Sequence, residues 1–154
     1  MEHIDPSEFR RENCPIMKSV SLIGDKWVLQ IMRECFLGFS KFDEFQTNLN
    51  VSKSVLSNKL QKMVAEGLLV RESYQKQSER TRYAYKFSRK GIKIFKVIVS
   101  LLEWGNEFLI EENEETILMK ERNTSSKLRV KPVNEKGEIV EWRNVEFFVS
   151  PKPS

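Results

Sequence analysis

Three glycines, Gly24, Gly38 and Gly67, each close a stretch whose apolar residues recur at helical spacing. Asp25 stands before Val28, Ile31, Met32, Cys35 and Phe36, and Gly38 follows them. Ser52 stands before Val55, Leu56, Leu60, Met63 and Val64, and Gly67 follows those. A capping side chain satisfies the first free N–H groups, a stripe of period 3.6 buries one face, and glycine takes the left-handed turn that ends the helix. A chain written this way folds into short amphipathic helices that bury their stripes against one another.

Other segments fit the same frame. From Pro15, the residues Ile16, Val20, Leu22 and Ile23 predict a short helix ending at Gly24. Ser40-Lys41-Phe42-Asp43 has the form of a capping box, and Phe42, Phe45 and Leu49 supply about two turns after it. Upstream, Asp5-Pro6-Ser7-Glu8 reads as a helix start, which Cys14-Pro15 interrupts after about Asn13.

After Gly67 the period changes. In 82-RYAYKF-87, Tyr83, Tyr85 and Phe87 alternate with Arg82, Ala84 and Lys86, the pattern of a half-buried strand. With 68-LLVRESY-74 and the polar 75-QKQSER-80 between them, the two runs predict a hairpin. Ser88 then caps a long helix running to Leu109 and dissolving in 111-EENEE-115. Its apolar residues cover more than one face, which requires a second partner, most simply the same helix of another copy. Beyond it, 127-KLRVKPV-133, the turn Asn134–Gly137, 138-EIVEW-142 and 145-VEFFV-149 read as short strands.

The fold class expected is mainly α with a small β-hairpin wing (α+β). It is a winged helix-turn-helix with a long C-terminal dimerisation helix and a strand-rich tail. The segments are an arm over 1–13, the winged domain with its dimerisation helix over 14–115, and an extension over 116–154.

Charge locates the working surface. Residues 51–100 carry 12 basic and 3 acidic groups, whereas the whole chain has a formal net charge of only +4. No Asp or Glu occurs from Phe45 to Ala65, where Lys53, Lys59 and Lys62 stand among Ser and Asn. In a helix-turn-helix the second helix lies in the major groove of DNA, where phosphates repel carboxylates and lysines release counterions. Lys53, Ser54 and Asn58 are the candidates for base readout, with Ser57 and Lys62 toward the backbone and Ser52 at the cap. Lys59 falls between Val55 and Met63 on the helical wheel, closer to the apolar stripe. In the hairpin, Lys76, Gln77, Arg80 and Arg82 are candidates for phosphate or minor-groove contact. The same basic face also suits an acidic protein partner, so a winged-helix docking module is the competing reading.

The sequence resembles the HxlR-type winged-helix regulators, relatives of the MarR group. The resemblance lies in Cys14-Pro15, 24-GDKWVLQIMREC-35, Lys41-Phe42, 51-VSKSVLSNKLQKMVAEGLLVR-71, Tyr85, Phe87-Ser88, Gly91 and Trp104. It implies a homodimer joined through N- and C-terminal helices, bound to a pseudo-palindromic operator on double-stranded DNA as a repressor or an activator. Lys41 stands where the family usually has Arg, Arg80-Thr81 where it has prolines, and Ala84 where it has an acidic residue.

Cys14 precedes Pro15 at a helix start, where partial positive charge favours thiolate, and Lys18 lies one turn on. The resemblance further implies that a cysteine in this position senses oxidants or electrophiles; a small-molecule signal is the alternative. Cys35, on an apolar helix face, is expected to pack in the core. The lone histidine, His3, and two cysteines do not make a zinc site, and no phosphate loop or nucleophile–base pair appears, so neither enzyme activity nor a cofactor is expected. The segment MEHIDPSEFRRENC has no apolar core, and no apolar run is long enough for a bilayer; a cytoplasmic location without membrane contact is expected.

Overall fold

The computed structural model describes residues 11–74 and 82–148. The helix start expected at Asp5 and the end of the last expected strand, Val149, lie outside the described residues. The chain divides into two compact units, one from Ser19 to Leu101 and one made of the residues up to Lys18 with those from Leu102 onward.

In the Ser19–Leu101 unit the cap-and-glycine grammar builds the helices. Helix α1 spans Pro15–Ile23 and begins before this unit; α2 spans Lys26–Phe36, α3 Phe42–Leu49 and α4 Lys53–Ala65. The Asp25 carboxylate accepts the N–H groups of Trp27 and Val28 at 2.9 and 3.3 Å. Gly38 and Gly67 both take positive φ, at 96° and 68°, where a side chain would be strained, whereas Gly24, expected to do the same, does not. The helices close over Val28, Ile31 and Met32 of α2, Phe45 and Leu49 of α3, and Leu56, Leu60 and Met63 of α4. Each such buried side chain stabilises the fold by about 2 kcal/mol. Among the described residues, one charge enters this interior. Glu34 is 3% exposed, paired with Arg33 at 2.6 Å and accepting from Asn48 Nδ2 at 2.7 Å, so its carboxylate ties α2 to α3.

The cap of α3 corrects the expected box by one residue. Lys41, not Ser40, is the N-cap, and Glu44, not Asp43, reaches back to the Ser40 and Lys41 N–H groups at 3.0 and 2.9 Å. Those two bonds to the charged form, first Ser40's and then Lys41's, hold the Glu44 carboxyl below its ordinary range.

The hairpin forms as expected from β1, Leu69–Tyr74, and β2, Arg82–Phe87, antiparallel with Leu69 opposite Phe87. Tyr85 and Phe87 turn inward, but Tyr83 is 39% exposed and lies under the Arg71 guanidinium at 4.3 Å. The chain entering α3 adds a short third edge that periodicity does not reveal. The Tyr85 N–H donates to the Ser40 carbonyl at 2.7 Å, and Lys41 bridges Ala84.

The single long helix expected after Ser88 is two helices. One turn, α5 (Arg89–Ile92), is followed by a break at Lys93-Ile94 and then by α6 (Phe95–Phe108). The cause is packing. Gly91 sits so close to the chain that a Cβ there would overlap the Leu68 carbonyl oxygen. The Ser88 hydroxyl donates to the Gly67 carbonyl at 2.5 Å and Lys90 Nζ to the Glu66 carbonyl at 2.8 Å. Helix α5 is therefore docked on the end of α4, and the backbone tightens to i→i+3 bonds at Lys93 and Ile94 before α6 sets off.

In the other unit, Glu103 of α6 accepts the Val130 N–H at 2.9 Å and Asn106 Nδ2 donates to the Ile117 carbonyl at 3.0 Å. The turn Asn134–Gly137 forms, with Gly137 at φ 84°. The strands expected around it reduce to single bridges, Val133 with Ile139 and Lys120 with Lys127, and Trp142–Asn144 is a 3-10 turn. Pro132 accepts from Val140 but has no N–H to return, which stops that ladder after one step.

Candidate nucleic-acid interface

Helices α3 and α4 are joined by Asn50, in the left-handed region at φ 47°, and by Val51, which is 7% exposed. This short, anchored connection fixes the angle at which α4 is presented. The Ser52 hydroxyl accepts the Val55 N–H at 3.4 Å and lies 3.2 Å from the Ser54 hydroxyl. With Leu56, Leu60 and Met63 buried, Ser52 at the cap and Lys53, Ser54, Asn58 and Lys62 of α4 are exposed, while Ser57 is half-buried and within 3.5 Å of Gln61 Nε2. Among the described residues, Lys53 and Lys62 make no ion pair.

Lys59 is differently employed. Its ammonium lies 2.7 Å from the Asp25 carboxylate, so it joins α4 to the cap of α2. That hydrogen bond, ahead of those from Trp27 and Val28, holds the Asp25 carboxyl below its ordinary value. Only the position of Lys59 beside the apolar stripe hinted at this; Asp25 lies 34 residues away. In the wing, Arg82 pairs with Asp43 of α3 at 3.2 Å, and Lys86 with Glu72 at 2.5 Å. Lys76, Gln77 and Arg80 lie outside the described residues.

Cys14 stands just before α1, its carbonyl accepting the Lys18 N–H at 3.1 Å; its side chain is buried at 9% exposure, and Lys18 Nζ donates to Asn13 Oδ1. Cys35 is half-buried, and burial, with the Glu34 charge second, pushes its thiol up to about 12. Among the described residues no group of acidic, cysteine or histidine side chains is arranged to hold a metal, and no helix is long and apolar enough to cross a membrane.

An uncharacterized HTH-type transcriptional regulator of Mycobacterium tuberculosis is 34% identical to this chain over 100 residues. The match covers 65% of this chain and 62% of the relative, so the chain spans less than two thirds of that relative's length. The crystal structure of PA1607, described as a candidate transcription factor, superposes with a TM-score of 0.76 at 24% identity, over 91% of this chain and 97% of its own. The redox regulator HypR in its oxidized form superposes with a TM-score of 0.55 at 23% identity, over 61% of this chain and 96% of its own. The segment after α6 thus has a counterpart in the fold of PA1607 that the shorter match does not reach. A family profile described as HxlR-like helix-turn-helix matches residues 22–113, more than half of the sequence, and the chain belongs to that family.

Proposed function

We propose that this protein is a homodimeric transcriptional regulator that binds a pseudo-palindromic site on double-stranded DNA through α4. One observation carries the reading: a helix-turn-helix presents Lys53, Ser54, Asn58 and Lys62 on an exposed face in a stretch of 21 residues, Phe45 to Ala65, without a carboxylate. Lysines there neutralise phosphates, while Ser54 and Asn58 reach base edges. Lys59 serves as a strut between α4 and α2 rather than as a contact. Arg82 is the candidate for the flanking backbone, as Lys76, Gln77 and Arg80 are from the sequence alone.

Dimerisation is supported by uncovered apolar side chains on both terminal helices. Ile16, Met17 and Val20 of α1 are 54% or more exposed, and Leu101, Trp104 and Phe108 of α6 are 49% or more. A dimer that buries them sets its two copies of α4 about 34 Å apart, one turn of DNA.

An oxidant or electrophile acting through Cys14 is the signal that fits the sequence resemblance, and HypR, of the same fold, is a redox regulator. The Cys14 side chain is 9% exposed. Selection of bound sequences from random duplexes, with and without oxidant, tests the whole reading. The expected result is an inverted repeat whose recovery depends on salt and changes with oxidant in the parent but not in Cys14→Ser. A module that docks an acidic protein would retain no duplex at moderate salt.

A further inference from the structure

We propose that Asp43 is an exchangeable ligand for Arg82: it holds the guanidinium in the free protein and yields it to a DNA phosphate, which sets how tightly any duplex is bound. This inference rests on the DNA-binding reading above and deepens it. Arg82 Nη1 donates to Asp43 Oδ2 at 3.2 Å, across 39 residues of sequence. The two side chains are 52% and 70% exposed, so a dissolved anion can reach the pair.

The backbone brings these residues together. The Tyr85 N–H donates to the Ser40 carbonyl at 2.7 Å, and Lys41 bridges Ala84 in the antiparallel sense. Two positions further along each segment in that register stand Asp43 and Arg82. Capping of α3 falls to Glu44, which accepts the Ser40 and Lys41 N–H groups. The Asp43 carboxylate is therefore left for Arg82, just before the stretch from Phe45 to Ala65 that contains no Asp or Glu.

Location selects the competitor. In a helix-turn-helix the first helix crosses the sugar–phosphate backbone, and Asp43 lies in the first turn of α3. An ion pair this exposed is worth a factor of about five at most, because water screens it and two side chains must be held still. A phosphate accepts two parallel N–H bonds from a guanidinium, and its pairing releases condensed counterions. The exchange thus runs toward phosphate on DNA and back to Asp43 off it. Lys53 and Lys62 make no ion pair among the described residues and carry no such brake. Phosphate contacts do not read bases, so the brake acts on every duplex alike.

The test is fluorescence anisotropy of the full chain on the selected duplex and on a random one, across a salt series. The parent is compared with Asp43→Asn, Arg82→Gln and the double variant, circular dichroism checking that each stays folded. Asp43→Asn should bind both duplexes about two- to fivefold more tightly at an unchanged salt slope. Arg82→Gln should bind more weakly, with a slope shallower by about one unit. In the Arg82→Gln background the gain from Asp43→Asn should fall to about 1.5-fold or less. Asp43→Glu, which keeps the charge, should bind as the parent does.

Weaker binding by Asp43→Asn would overturn the proposal, making the pair a strut that binding needs. An equal gain with and without Arg82 would also overturn it, leaving Asp43 as a general repulsive charge. Unchanged affinity in Asp43→Asn, a gain confined to the selected duplex, or the parent's slope in Arg82→Gln would do the same. If the parent bound no duplex even at low salt, the DNA reading would fall and this inference with it. Duplex binding with additive effects of the two substitutions sinks this inference alone.

Discussion

The carboxylate of Asp25 has two employments at once: Oδ1 caps α2 by accepting the Trp27 N–H, and Oδ2 holds Lys59 of α4 at 2.7 Å. One residue thus starts one helix and fixes the pose of α4. Asp25→Ala removes both and should cost about 1–2 kcal/mol in chemical denaturation, most of it from the cap. Lys59→Met should weaken DNA binding while leaving the slope of affinity against salt unchanged, because no phosphate contact is lost. A slope shallower by about one unit would make Lys59 a phosphate ligand.

The same pair sets an acid limit on stability. Folding lowers the Asp25 pKa below its ordinary 3.8 and that of Glu44 below 4.5. The unfolded chain therefore binds more protons there, so the stabilisation is fully present above those ordinary values. It is lost as pH falls through the lower folded-state values. In denaturation between about pH 5 and pH 2, Asp25→Asn should show a smaller acid loss than the parent.

Gly91→Ala sets two effects of opposite sign against each other. Alanine in place of a helical glycine is worth up to about 1 kcal/mol in propensity. The Cβ, however, would overlap the Leu68 carbonyl, which is backbone and cannot swing aside. Overpacking costs about 1–3 kcal/mol or more, so thermal unfolding should shift down by several degrees. A higher midpoint would mean that α5 is not docked on the end of α4.

Cys35 should be the inert thiol. With its pKa pushed up to about 12 by burial and by Glu34, almost no thiolate exists near neutrality. Mass spectrometry after maleimide treatment at pH 7.5 should find Cys35 unmodified in the folded chain and modified after denaturation.

The local grammar was readable from residues alone. Asp25, Ser52, Gly38 and Gly67 act within one helical turn, so the residue types and their order suffice to bound α2 and α4. The exposed side of α4 followed from the same wheel, since burying Leu56, Leu60 and Met63 leaves Lys53, Ser54, Asn58 and Lys62 outside. What escaped depends on partners distant in sequence. The break after α5 needs Leu68, 23 residues before Gly91; the strut role of Lys59 needs Asp25; the third edge of the hairpin needs Ser40 against Tyr85. In the tail, apolar alternation suggested strands, but a ladder also needs a returning donor, which Pro132 lacks.

The charge on the outer side of α4 is the quantity to change. Fluorescence anisotropy on the selected duplex, across a salt series, should compare the parent with Lys53→Glu, Lys62→Glu and the double variant, circular dichroism confirming that each stays folded. Each single change should weaken binding by about tenfold or more and make the salt dependence shallower by about one unit, the double variant losing more. If all of these proteins bound the duplex with the affinity and salt slope of the parent, α4 would not be the surface that meets DNA.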